Sequence, residues 1–167
     1  MRNVQDMKLR EGVEWAVHCC INLSWISPDR AVPAARLAAF HDLPTAYLNK
    51  QMNALGRVGI VASRSGPRGG FRLGREPERI TLMDVATAID GSAQAFLCTG
   101  IRHHGPAGTI TGPAADRTTC TVAQAFSTAE LAWRRQLADR SIAELADTVR
   151  RANPAAPDQV RRWFDRP

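Results

Sequence analysis

The segment Arg64-Ser65-Gly66-Pro67-Arg68-Gly69-Gly70 places three glycines and a proline within seven residues. Such a stretch cannot continue a helix or a central strand, so it reads as a turn. Ile60-Val61-Ala62-Ser63 reads as the strand entering it, and Phe71-Arg72-Leu73 as the strand returning, alternating around an outward Arg72. The chain before the hairpin is helical. From about Lys8 to Ile26, Leu9, Val13, Ala16, Val17, Cys20 and Leu23 or Ser24 recur at the spacing of an apolar stripe, and Pro28 ends the run. Pro33 opens a second helix, Ala34–Phe40, anchored by Leu37. His41-Asp42-Leu43 is a turn. Pro44 starts a third helix through about Val58, with Tyr47, Leu48, Met52 and Leu55 at core spacing. Three helices followed by a hairpin is the order of a winged helix-turn-helix.

The arginines give this order a use. Five arginines and no acidic residue lie from Arg57 to Arg75. At a wing tip, Gly69 and Gly70 let backbone approach backbone, while Arg64 and Arg68 match phosphate or enter a narrow groove. Thr45, Tyr47, Asn49, Lys50 and Asn53 of the third helix would face base edges and phosphates in a major groove. The chain's formal net charge of +6 also favours an anionic partner. A solvated basic hairpin is the bland alternative. No P-loop, nucleophile motif or evident pair of catalytic carboxylates is present, so an enzyme is not expected. No run approaches the length of a membrane span, and the polar start MRNVQDMKLREG lacks a signal peptide's apolar core. A cytoplasmic protein without membrane partners is expected.

Beyond the hairpin, Thr81 caps a fourth helix, Leu82–Ile89, closed by Asp90-Gly91. Residues 92–119 lack periodicity, and a loop of this length is usually functional or disordered. A long helix from about Val122 to Ala138 carries Val122, Ala125, Phe126, Ala129, Trp133 and Leu137 on one face. Ser141 and Glu144 form a capping box for a further helix. The end, from Asn153, reads as a mobile tail with a short helix as an option.

Four cysteines are present. Cys19 and Cys20 read as buried apolar residues. Cys98 and Cys120 flank the loop rich in Gly, Pro, Thr and His, where packing gives no reason for a thiol. They could form a reversible disulfide. Glu14 and His18, four apart, stack on one face of the first helix, either as a surface pair or as two ligands of one metal. His103 and His104 are further candidate ligands, more often solvated. Trp15 beside the pair is either a core residue or a side chain able to repack.

The runs Leu43-Pro44-Thr45-Ala46-Tyr47-Leu48-Asn49-Lys50, Leu55-Gly56-Arg57-Val58-Gly59-Ile60-Val61-Ala62-Ser63-Arg64 and Gly66-Pro67-Arg68-Gly69-Gly70-Phe71-Arg72-Leu73 resemble the DNA-binding domain of the Rrf-two family. These are dimeric winged-helix regulators that include the IscR and NsrR group. Ile80-Thr81-Leu82-Met83-Asp84-Val85 and Ala88-Ile89-Asp90-Gly91 continue the likeness, which runs from about Met7 to Ala146. The resemblance implies a mainly α fold with a small β-hairpin wing, and a homodimer joined through the long helix. It divides the chain into a DNA-binding domain (7–91), a cluster-binding loop (92–120), dimerisation helices (121–152) and the tail (153–167). It implies a regulator, a repressor, acting on double-stranded promoter DNA.

Cluster-bearing members of the family mostly carry three closely spaced cysteines in this loop. Here only Cys98 and Cys120 stand there, with 21 residues between them. The run Glu14-Trp15-Ala16-Val17-His18-Cys19-Cys20 is similar to the redox-regulator branch represented by RsrR. That branch implies a 2Fe–2S cluster held by Cys98 and Cys120 of one subunit with Glu14 and His18 of the other, and Trp15 as the switch. The chemistry is consistent with general rules: thiolates are the usual ligands, and imidazole in place of thiolate raises the potential. Two other readings compete. One is a thiol- or nitric-oxide-responsive regulator without a cluster. The other is a metal-binding or electron-transfer protein that does not use DNA.

Overall fold

The computed structural model describes residues 9–111 and 120–166. It is mostly helical with one two-stranded antiparallel sheet, as the sequence predicts. The chain forms two compact units. One comprises Leu9–Gly91 and the chain from Leu137 onward; the other contains Ser92–Gln136.

In the first unit, helices α1 (Glu11–Ser24), α2 (Ala34–Phe40) and α3 (Thr45–Arg57) precede strands β1 (Val61–Arg64) and β2 (Gly70–Leu73). Leu37, Leu48, Met52, Leu55 and Ile60 are fully buried, so the apolar stripes of α2 and α3 point at one core. Cys19 and Cys20 lie in that core at 0% exposure, the apolar role expected of them. Tyr47 departs from its core spacing: it is exposed, because it lies beyond the edge of the stripe formed by Leu48, Met52 and Leu55. The turn between α2 and α3 passes through Asp42 at φ 53°, a left-handed conformation that Asp tolerates better than most residues.

The hairpin pairs Val61 with Leu73 and Arg64 with Gly70. It is fastened to the helices by a further bridge in which Val32 and Phe71 exchange both backbone hydrogen bonds at 2.8 Å. Gly70 makes this possible. Its φ is +148°, and a Cβ there would lie 2.2 Å from the carbonyl of Val32. Gly69 is equally enclosed, with the Arg64 carbonyl 2.4 Å from where a Cβ would stand.

Two capping boxes lie side by side. Thr81 Oγ1 accepts from the Asp84 amide at 3.0 Å, and the Asp84 carboxylate accepts from the Thr81 amide at 2.9 Å, starting α4 (Leu82–Asp90). Ser141 and Glu144 make the same reciprocal pair at the start of α7 (Ile142–Ala152). Thr81 and Ser141 are themselves bridged, so the two helix starts are held together by backbone.

Two expectations change. The sequence reading places α7 among dimerisation helices at 121–152, yet α7 packs on α1, and its Ile142 and Ala146 are buried in the core shared with α1–α4. The expected mobile tail at 153–167 contains a full helix, α8 (Ala156–Asp165). Its apolar side is real: Pro157, Val160 and Phe164 are buried. Phe40 of α2 meets both Trp163 and Phe164 at ring distances of 5.0 and 5.2 Å. Arg36 lies over Trp163 and donates to its carbonyl, while Arg30 donates to the Phe164 carbonyl and pairs with Asp165. Prolines and arginines make this stretch read as mobile, but Arg161 donates to the Trp25 carbonyl at 3.1 Å, and the docking Arg30 and Arg36 come from outside the stretch.

The second unit holds a 3₁₀ turn (Ile101–His103), α5 (Gly105–Thr111) and α6 (Thr121–Ala138) up to Gln136. The supposed loop at 92–120 therefore contains two short helical segments. Among the described residues no helix is long and apolar enough to cross a membrane.

Gly70→Ala should destabilise the first unit by about 1–3 kcal/mol through overpacking against Val32. Urea unfolding checks this, and an unchanged midpoint would remove the steric role assigned to Gly70.

Candidate nucleic-acid interface and metal ligands

The first turn of α3 is open to solvent. Thr45, Tyr47, Lys50 and Asn53 are exposed and Asn49 is half-buried, while Leu48 and Met52 between them anchor the helix. Arg64, Arg68 and Arg72 of the hairpin are exposed. Arg64 and Arg68 line an open hollow of about 370 Å³ together with Asp29, Arg30, Ala31 and Pro33. Gly69 and Gly70 shape the turn, as their steric confinement requires. Arg75 differs from the other hairpin arginines: it donates to the carbonyls of Val58 and Gly59 at 3.0 and 3.2 Å, bracing the end of α3.

Glu14 and His18 are both exposed on α1, one helical turn apart, while Ala16, Cys19 and Cys20 on the opposite side are buried. Trp15 is half-buried, and its ring meets that of Tyr47 edge-on at 5.0 Å and 74°. This contact joins the proposed ligand helix to the first turn of α3. A second route was not foreseen from the sequence. His41, in the turn before α3, lies with its ring 6.0 Å from that of His18. Its Nε2 accepts from Nδ2 of the buried Asn22 at 2.8 Å. Burial first, and the neighbouring His18 second, hold the His41 imidazole below its ordinary pKa.

In the second unit, Cys98 is exposed and Cys120 half-buried at the start of α6. The Ala123 amide donates to the Cys120 sulfur and leads in favouring its thiolate. Partial burial opposes this; the Val122 amide, the Arg102 charge and the Cys98 thiol reinforce it, and the pKa falls below the usual value. The helix start thus acts on sulfur as it acts on any anion. By contrast, burial pushes the Cys19 thiol up to about 12 and raises Cys20 as well.

A clasp holds the approach to Cys98. Glu130, buried on α6, accepts from the Ala95 amide at 3.2 Å and from Arg134 Nε at 2.9 Å. Arg134 in turn donates to the Ala93 carbonyl at 3.0 Å, and Phe96 stacks on Phe126 at 4.5 Å. Sequence reasoning missed Glu130 and Arg134; their four-residue spacing on α6 was the available signal. Val122, Phe126 and Leu131 of the same helix remain exposed at 58%, 49% and 48%.

Among the described residues of one chain, no three His, Cys, Asp or Glu side chains group as a metal site. The structure brings Cys98 and Cys120 together, and Glu14 and His18 together, as two pairs. His103 and His104 are exposed.

The model of the Rrf2 family, described as an iron-dependent transcriptional regulator, matches residues 9–148. The chain belongs to the Rrf2 family. Among its curated relatives, the HTH-type transcriptional regulator IscR of Aliivibrio salmonicida is 33% identical over 94 residues, covering 56% of each chain. IscR of Yersinia enterocolitica is also 33% identical over 94 residues, covering 56% of this chain and 57% of that one. The chain thus spans little more than half the length of these relatives. Two solved structures share the fold. IscR of T. potens has a TM-score of 0.65 at 18% identity, covering 90% of this chain and 94% of that one. CymR, the global cysteine regulator of B. subtilis, has a TM-score of 0.65 at 20% identity, covering 85% of this chain and 98% of that one. The family match ends at residue 148, so α8 lies outside it.

Two outcomes check this site. In metal-free reduced protein at neutral pH, iodoacetamide should label Cys120 well before Cys19 or Cys20, as read by peptide mass spectrometry. Equal labelling of all three would contradict the thiolate-favouring surroundings. Glu130→Ala should cost about 1.5–3 kcal/mol, the range for hydrogen bonds to a charged group, and speed amide exchange across 92–97. Unchanged exchange there would show that the clasp does not hold the loop.

Proposed function

We propose that this Rrf2 protein is a homodimeric, sequence-specific DNA-binding regulator, a repressor, that senses redox state through a 2Fe–2S cluster. The observation that carries the DNA half is the joint exposure of the α3 start and the arginine hairpin on one unit, fastened by the Val32–Phe71 bridge. Thr45, Tyr47, Asn49 and Lys50 reach base edges and phosphates, while Arg64 and Arg68 hold the backbone or minor groove. The exposed apolar residues of α6 are the surface a second subunit would cover, since a single chain leaves them in water.

Cys98 and Cys120 of one subunit, with Glu14 and His18 of the other, make a four-ligand set for the cluster. The donors fit: two adjacent cysteines with Cys120 favoured as thiolate, and an exposed carboxylate–imidazole pair. A bound cluster supplies a one-electron change of charge. Around it, Glu14 and His18 tie that charge to α1, Trp15 carries a shift of α1 to Tyr47, and Tyr47 sits among the base-facing residues. The Asn22–His41 hydrogen bond fixes the turn from which α3 starts.

A second reading follows from the Cys98–Cys120 contact. Without a cluster, the two thiols can give up two electrons and two protons to a peroxide or a disulfide and form a bond between them.

Anaerobically purified protein should be coloured, with equimolar iron and sulfide. Cys98→Ala and Cys120→Ala should lose the cluster, and Glu14→Ala and His18→Ala should shift its spectrum. Colourless protein carrying a Cys98–Cys120 disulfide would favour the thiol switch. Promoter DNA binding should weaken steeply with salt, and Arg68→Ala should lower the log–log slope by about 0.9, the value for one phosphate contact. Absence of salt-dependent DNA binding would leave a metal or electron-transfer protein as the better reading.

A further inference from the structure

A cleft of about 330 Å³ opens beside Glu14 and His18 on the first unit. Its apolar walls come from Leu9, Val17, Leu82 and Leu137. The rim is acidic: Glu11 and Glu14 stand there, while Arg10 is paired with Asp90 at 3.3 Å. Elsewhere in the chain, Leu97 and Ile101, one residue before and three after Cys98, are 72% and 77% exposed. Arg102, His103 and His104 follow directly.

We propose that the cleft receives Leu97 and Ile101 from the loop of a second copy of this chain. The inference rests on the shared-ligand reading above and deepens it. Leu97 and Cys98 have Cα atoms about 3.8 Å apart, so a Cys98 that shares one centre with Glu14 and His18 of the other copy would bring Leu97 close to the same helix. The cleft bordering those two residues is apolar, as the leucine side chain needs, and its acidic rim complements the basic run after Ile101. Leu97 is thus a docking residue that positions Cys98, and Ile101 fills the cleft beside it. Apolar contact excludes water from the cluster edge and makes loop docking and ligation one event.

The test uses full-length protein prepared anaerobically, with Leu97 replaced by the photoreactive p-benzoylphenylalanine and mixed with isotope-labelled wild-type copies. Irradiation should link the light loop to the heavy chain between Leu9 and His18, and Val17→Ser in the heavy chain should cut the yield several-fold. Cross-linking to another element, only within one copy, or not at all overturns the proposal. The spectra of Glu14→Ala and His18→Ala separate the two ideas. Unaltered spectra with the inter-chain link present retain the docking and reject the ligand set. Altered spectra with the link elsewhere retain the ligand set and reject the docking.

Discussion

Helices α1 and α3 cross so closely at Gly12 that a Cβ there would stand 2.9 Å from the side chain of Gln51. Both residues are buried. The crossing fixes the distance between the helix that carries Glu14 and His18 and the helix that carries Thr45, Tyr47 and Lys50. Trp15 is able to meet Tyr47 because of it. Further along α1, Asn22 reaches His41 for the same reason: α1 runs beside the turn as well as beside the helix. In the proposed switch, a displacement of α1 at Glu14 and His18 would reach α3 through this packing and through the Trp15–Tyr47 ring contact.

The fold was largely legible because its punctuation is local. The glycines and proline of the wing, the two capping boxes and the prolines before α2 and α3 act through their own backbone, and residue order alone reveals them. What the sequence hid is tertiary. Tyr47 follows the periodicity of a core residue, yet lies past the edge of the buried stripe. Helix α8 begins among prolines and carries two arginines, and its docking contacts come from Phe40, Arg36 and Arg30, more than a hundred residues away. Cys98 and Cys120 could be named as a pair but not placed, because the clasp between Glu130, Arg134 and the backbone of residues 93 and 95 has no motif.

Helix α8 gives this member of the family something the matched region does not hold. It lies against α2, the first helix of the helix-turn-helix, where Phe40, Trp163 and Phe164 form a cluster of three rings in mutual contact. His41, edge-on to Phe40 at 5.0 Å, faces Asn22 on the other side. The turn before α3 is thus held from two directions, by α1 through a hydrogen bond and by α8 through aromatic packing. Such a turn favours one placement of α3, which suits a reader whose affinity depends on the angle of a single helix.

Ligand number ties the proposed sensing to assembly. A 2Fe–2S centre takes four protein ligands, two on each iron. In the proposed centre, Cys98 and Cys120 of one subunit would hold one iron and Glu14 and His18 of the other subunit the second. A loop with two cysteines would leave the other iron needing donors from elsewhere. When those donors belong to a second subunit, the centre forms only across a dimer, and a change in it acts on the partner's α1 and hence the partner's α3. An exposed carboxylate is also a harder, weaker ligand for iron than thiolate, so the Glu14 side is where the centre yields first. The most labile bond in the proposed centre would then be the one attached to the DNA reader.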